Sequence, residues 1–408
     1  PELRPAVVVC PATLKSNWLI EARAWLETDE RIVVVNSGKT KSLDADIIII
    51  NYELMKKWVQ ALQSIRPKIL VADESHMLKT PAAARSKAVK ELASVTPHKI
   101  FLTGTPVLSR PGELWNQLQI LDPAQYPDSR FVAWHIRYAG AYKGRFGWDF
   151  SGASNLDELA ASLKTIMIRR TKEQVLPELP AKRRQTLLVS INNRREYNKA
   201  DKEFMAWLIE QKGAEAADRA SHVEQLAKIE YLRQIAIRGK MKQVQDSIKT
   251  FLLNGEKLVV FATHRATIDT LMSEFGGQAV KIVGGMSGKQ KQESIDAFQN
   301  DPDVRLFIGN IKAAGVGITL TAASNVAFLE LPWTPSDLEQ AEDRLHRIGQ
   351  SNAVNVCFFL AEGTIDATIA TMLDTKGSII DQIMSNPAGA GLNLLDLLQE
   401  AILDDNNK

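Results

Sequence analysis

Ile69-Leu70-Val71-Ala72 is an apolar run that delivers two adjacent acids, Asp73 and Glu74, followed by Ser75 and His76. In doubly wound sheets the carboxyl end of a strand is where ligands bind. An aspartate there can hold Mg²⁺, usually through water, and the neighbouring glutamate can orient and deprotonate a water that attacks a γ-phosphate. The plain alternative is an acidic turn after a strand. Further on, Lys99-Ile100-Phe101-Leu102 leads into Thr103-Gly104-Thr105-Pro106, whose hydroxyls can hydrogen-bond the acidic pair and relay nucleotide state. Gln340 to Gln350 places Arg344 and Arg347 three apart, on one expected helical face. Two guanidinium groups pointing one way suit a polyphosphate and can stabilise phosphoryl transfer. An exposed amphipathic helix with ion pairs is the alternative.

The elements that must position these residues read as strands alternating with helices. Ala6 to Cys10, Ile32 to Val35, Asp46 to Ile50, Ile69 to Ala72 and Lys99 to Leu102 form one series. Leu258 to Phe261, Ala279 to Val283, Val304 to Ile308, Asn325 to Leu329 and Val354 to Leu360 form another. Strands separated by helices predict α/β lobes built on parallel sheets. The expected division is a first lobe over 1–190, a helical insertion over 191–256, rich in Ala, Gln, Glu, Lys, Arg and Leu, and a second lobe over 257–408. Gly391 to Lys408 carries a leucine pattern expected to form a bracing helix, with a partner-docking helix as the alternative.

A length of 408 residues exceeds what one hydrophobic core usually fills, and 45% hydrophobic with 24% charged residues is a globular composition. No apolar run approaches the roughly 18 residues of a membrane span, and no secretory leader is visible. Cys10 and Cys357 lie far apart in strand-like contexts, which excludes a disulfide framework and leads to an expected reducing, intracellular setting. The net charge of +2 hides an excess of basic residues before residue 190 and of acidic residues after it. Lys164, Arg169, Arg170, Lys172, Lys182, Arg183, Arg184, Arg194 and Arg195 form a basic stripe that could neutralise phosphates or simply be a solvated face.

Together these segments resemble the SNF-type DNA translocases of helicase superfamily two. The resemblance rests on Val8-Val9-Cys10-Pro11-Ala12-Thr13-Leu14, Asp73-Glu74-Ser75-His76, Leu102-Thr103-Gly104-Thr105-Pro106, Ala313 to Leu320 and the run ending Arg347-Ile348-Gly349-Gln350, in that order. Ser109 to Leu114 and Gly147 to Gly152 are similar to the annealing-helicase branch. The resemblance implies two RecA-like lobes, ATP and Mg²⁺ as cofactors, hydrolysis between the lobes, and tracking on double-stranded or branched DNA. It implies Asp73 as the magnesium acid, Glu74 as the water-activating acid, Arg344 and Arg347 as the paired arginines, and Gln340, Gly315 and Gly317 as nucleotide-side residues. Thr103, Thr105 and His76 fall in the coupling segments, and Lys15, Thr319, Trp333, Arg169 and Arg170 on the DNA side. Ala314 stands where the family more commonly has glycine. Trp18 lies beside Lys15 where the resemblance implies contact with a DNA strand, but is read in preference as a helix-core residue.

The resemblance also implies a phosphate loop, G-x-x-x-x-G-K-[ST], ahead of Val7. No such loop occurs there; Ser37-Gly38-Lys39-Thr40 is a decoy, with Val33 where the first glycine should stand. Either the loop lies upstream of this sequence or another chain supplies it; Pro1 in place of Met favours the upstream start, so residues 1–408 alone are expected to bind ATP weakly and turn it over negligibly. Two rivals remain: an RNA helicase or restriction-translocase subunit of the same superfamily, and a non-catalytic DNA-binding scaffold. The first would lack Arg347-Ile348-Gly349-Gln350; the second would bind DNA indifferently to nucleotide.

Overall fold

Strands that are apolar on both faces need helices on both sides, and Ala6–Cys10 and Ile47–Asn51 are buried at every position. The computed structural model describes residues 3–26, 29–36, 40, 42–108, 110–144, 147–213, 220–314 and 317–384, with backbone alone over 204–213 and 220–225. The chain divides into two units, Pro1–Met167 with Ser378–Gly389, and Ile168–Gly377 with Ala390–Lys408.

In the first unit, β1 (Ala6–Cys10), β2 (Ile32–Val34), β3 (Ile47–Asn51), β4 (Ile69–Asp73) and β5 (His98–Leu102) form a parallel sheet in the order β2-β3-β1-β4-β5. Three helices, α1 (Lys15–Trp25), α2 (Tyr52–Ser64) and α3 (Ala84–Ala93), alternate with them. Helix α2 turns Tyr52, Met55, Val59 and Leu62 inward, the three-to-four spacing of a helix with one buried face. Beyond the sheet, α4 (Trp115–Leu121), α5 (Phe131–Ala139), the hairpin β6 (Tyr142–Gly144) and β7 (Gly147–Asp149), and α6 (Leu156–Leu163) follow. Buried Trp115 centres this region, meeting the rings of Tyr126, Phe131, Trp134 and His135 at 5.5 to 6.0 Å.

The second unit opens with α7 (Lys172–Val175), β8 (Lys182–Val189), α8 (Arg194–Gly213) and α9 (Ala220–Leu253). It continues through β9 (Leu258–Ala262), α10 (Arg265–Phe275), β10 (Ala279–Ile282), α11 (Gly288–Asn300), β11 (Leu306–Asn310) and α12 (Ile311–Ala314). Then come β12 (Asn325–Phe328), α13 (Pro335–Glu342), β13 (Val354–Ala361) and α14 (Ile365–Ile383), whose residues from Ser378 group with the first unit. Its parallel sheet runs β10-β11-β9-β12-β13-β8. One face stacks Phe261, Phe328 and Phe358 at 5.4 and 5.5 Å. Val244, Ile248 and Leu252 of α9 cover the other face with Val260 and Ala262.

Two features differ from the sequence reading. The basic segment Lys182–Val189 is a strand, paired in parallel with β13 along its whole length, so the contacts end the first unit at Met167 rather than near 190. The helical stretch does not stand apart: α9 packs on the second sheet, and buried Lys240 donates to Asp366 Oδ2 at 2.7 Å and to the Phe359 carbonyl at 2.6 Å. The segment Gly391 to Lys408, expected to form a bracing helix, lies outside the described residues. Phe261 is fully buried in the ring stack, so Phe261→Ala should cost the second unit about 3–5 kcal/mol, read as a lower denaturant midpoint.

Candidate functional site

Parallel pairing sets Asp73 beside Leu102 at the carboxyl ends of β4 and β5, so the two motifs emerge from the sheet side by side. Asp73 is held from three directions. Its Oδ2 accepts the Trp18 indole N–H at 2.8 Å, its Oδ1 accepts the Glu74 N–H at 2.8 Å, and its carbonyl accepts the Tyr52 hydroxyl at 2.6 Å. Burial pushes the Asp73 carboxyl up from its ordinary range, against the lowering effect of the Trp18 hydrogen bond. Trp18 is thus more than a core residue: half-buried against the sheet, it also grips the candidate magnesium acid.

Glu74 adopts φ 50° and ψ 49°, a left-handed conformation that is strained for a residue with a side chain. Its Oε2 is buried without a hydrogen bond, although His76 Nδ1 lies 3.2 Å away as an ion-pair neighbour. The same His76 nitrogen is 3.2 Å from Thr103 Oγ1, which in turn accepts the Thr105 N–H at 3.0 Å. The threonines therefore meet the acid motif through His76, with no direct hydrogen bond to either acid. A second link, invisible to motif reading, runs through buried Gln117, which takes the Ser75 hydroxyl at 2.9 Å and donates to the Pro106 carbonyl at 2.9 Å.

Among the described residues no cluster of three or more His, Cys, Asp or Glu could hold a metal by itself. Mg²⁺ asks for less, since it commonly takes one or two carboxylates and completes its shell with phosphate and water. Asp73 with the orphaned Glu74 oxygen fits that need.

In the second unit the arginines are not on one helical face. Helix α13 ends at Glu342, and 343–349 is a succession of tight turns that closes with Gly349 at φ 97°. The break has a cause, because the Arg344 carbonyl accepts from Leu320 N at 2.9 Å, and Gln350 Nε2 donates to the Ala323 carbonyl at 2.8 Å. The turns still bring both guanidiniums to one point: Arg344 and Arg347 donate to the Ile318 carbonyl at 3.4 and 3.2 Å. Gln340 supplies its carbonyl to Arg344 Nε at 2.9 Å. Gly317, at φ 75°, and half-buried Thr319 flank Ile318, whereas Gly315 lies outside the described residues.

The remaining DNA-side candidates are scattered. Lys15 Nζ donates to the Val35 carbonyl and Asn36 Oδ1, both at 2.9 Å, so this amine is committed inside the first unit. Trp333 is half-buried, with Arg233 over its ring at 4.8 Å, and lines a cavity of about 200 Å³ with Glu230, Asn310 and Lys312. Arg170 is exposed and donates to the Arg169 carbonyl at 3.0 Å. The basic stripe is not one free face. Alternation along β8 leaves Arg183 in solvent and turns Lys182 and Arg184 onto fully buried Glu342, at 2.7 Å each. Lys172 reaches Asp343 at 2.7 Å and the His346 carbonyl at 2.7 Å. Burial would raise the Glu342 carboxyl, but Lys182 and Arg184 hold it below its ordinary value.

Residues 2–246 match the SNF2-related domain, and residues 227–349 match the helicase conserved C-terminal domain. The chain belongs to the SNF2-related family. Among its relatives, the DNA annealing helicase and endonuclease ZRANB3 of Mus musculus is 35% identical, over 92% of this chain and 36% of its own length. The SWI/SNF-related matrix-associated actin-dependent regulator of chromatin subfamily A-like protein 1 of Xenopus tropicalis is 34% identical, over 93% of this chain and 40% of its own length. The SNF2-related chain thus spans about 36–40% of these relatives. A solved Sulfolobus solfataricus SWI2/SNF2 ATPase core in complex with dsDNA aligns over 98% of this chain and 86% of that one, at 26% identity and a TM-score of 0.42.

Strain at Glu74 makes a prediction separable from activity. Glycine tolerates the left-handed backbone and carries no orphaned carboxylate, so Glu74→Gly should raise unfolding stability by about 1 kcal/mol in a denaturant titration.

Proposed function

We propose that the protein is an ATP-driven translocase acting on double-stranded or branched DNA, with Asp73, Glu74, Arg344 and Arg347 serving one nucleotide. The observation that carries this reading is the Glu74 turn: a strained backbone, held by Tyr52 and Trp18 through Asp73, presents a carboxylate whose Oε2 is buried without a hydrogen bond and has His76 Nδ1 3.2 Å away as its ion-pair neighbour. In this reading Asp73 holds the Mg²⁺ that accompanies ATP and offsets phosphate charge, and Glu74 takes the proton of the attacking water. His76 senses the state of Glu74 and passes it through Thr103 to Thr105. Arg344 and Arg347 exchange the Ile318 carbonyl for phosphate oxygens, with Gln340, Gly315 and Gly317 shaping that side.

The phosphate loop remains an expectation of the reading. DNA is the proposed track because relatives are named DNA annealing helicases. Thr319, Trp333, Arg169 and Arg170 are the proposed DNA-side residues; the engaged amine of Lys15 gives that residue no support.

The test uses the product of the complete natural reading frame. Glu74→Gln should retain bound ATP and lower turnover by about 100-fold or more, and Arg347→Ala should lower turnover while leaving duplex affinity within about twofold. The scaffold reading predicts instead that DNA binding is unaffected by nucleotide and that Glu74→Gln is silent.

A further inference from the structure

Two acids stand immediately before the paired arginines in the chain, and their charge has to go somewhere. Glu342 is fully buried and Asp343 partly so. An acid released at either position would sit next to Arg344, and carboxylate–guanidinium pairs are among the strongest side-chain contacts available. The structure gives both acids other partners. Arg184 meets Glu342 through two nitrogens, Nε to Oε1 at 2.9 Å and a terminal nitrogen to Oε2 at 2.7 Å, and Lys182 adds a third contact at 2.7 Å. Lys172 meets Asp343 at 2.7 Å and lies within electrostatic range of Arg344. Lys172 also fixes the His346 carbonyl, while His346 Nε2 is 2.8 Å from the Pro180 carbonyl. The segment from α7 to β8 therefore braces the arginine turns at 342, 343 and 346.

We propose that Lys172, Lys182 and Arg184 are positioning residues for the arginine pair, sequestering Glu342 and Asp343 so that neither carboxylate closes onto Arg344 or Arg347. This rests on the reading that those arginines act on nucleotide phosphates. It gives three cations of the basic stripe a nucleotide-side role in place of a DNA-side one. It also accounts for a costly arrangement: a fully buried carboxylate needs its cations supplied with it, and here they come from the strand that completes the sheet edge.

Lys172 gives the cleanest test, because it and Asp343 are each about a third exposed and their loss should leave the fold intact. DNA-stimulated ATP hydrolysis by the complete protein is compared for wild type, Lys172→Ala, the double variant Lys172→Ala/Asp343→Asn, and Arg347→Ala. Lys172→Ala should lower kcat by roughly tenfold with little change in DNA affinity, and the double variant should recover to within about twofold of wild type. A merely structural ion pair would give no recovery, since the double variant also lacks it. Loss in Arg347→Ala with Lys172→Ala at wild-type rate, or a double variant no better than the single, overturns the proposal alone. An Arg347→Ala variant that turns over normally overturns the arginine reading and the proposal with it.

Discussion

The parallel pairing of β4 with β5 is the constraint on which the candidate site depends. Because both strands point the same way and stop at the same level, the acid motif and the threonine motif leave the sheet together, and a single histidine spans them. Had the strands been antiparallel, Asp73 and Thr103 would sit at opposite ends of the sheet. The cost of the arrangement appears one residue later, where the chain must turn sharply from strand to helix and Glu74 takes a left-handed backbone. Tyr52 and Trp18 anchor Asp73 just before that turn, so the strain is held by hydrogen bonds on either side of the strand end.

The second unit solves an electrostatic problem of the opposite kind. Its arginine segment has to keep two guanidiniums on one carbonyl with two acids next in line. Burying Glu342 would be unfavourable alone, but bidentate Arg184 and Lys182 compensate it, and both come from a strand that is also the sixth member of the sheet. Packing and charge placement are therefore one structural decision: β8 cannot leave the sheet without exposing the carboxylate that it neutralises.

What could be read from the sequence follows from this physics. Apolar strands such as Ile47–Asn51 and Leu258–Ala262 announce themselves because a parallel strand is buried on both faces, and Asp73 and Glu74 stand out because acids there are abrupt. β8 was illegible as a strand because its outer half is Lys182-Arg183-Arg184-Gln185-Thr186, at the edge of the sheet, with charges answered by residues some 160 positions away. The arginine turns looked helical because i, i+3 spacing survives in tight turns, and only the Leu320 to Arg344 backbone bond shows where the helix must stop. Trp18 read as core because burial of an indole body is the common case; its N–H on Asp73 requires two segments 55 residues apart to meet.

The proposed function is ATP hydrolysis coupled to DNA. The most direct measurement is steady-state ATP hydrolysis by the product of the complete reading frame, at fixed salt, with and without duplex DNA. Turnover should rise severalfold when duplex is added. DNA binding that is indifferent to nucleotide, with no turnover in either condition, would contradict it.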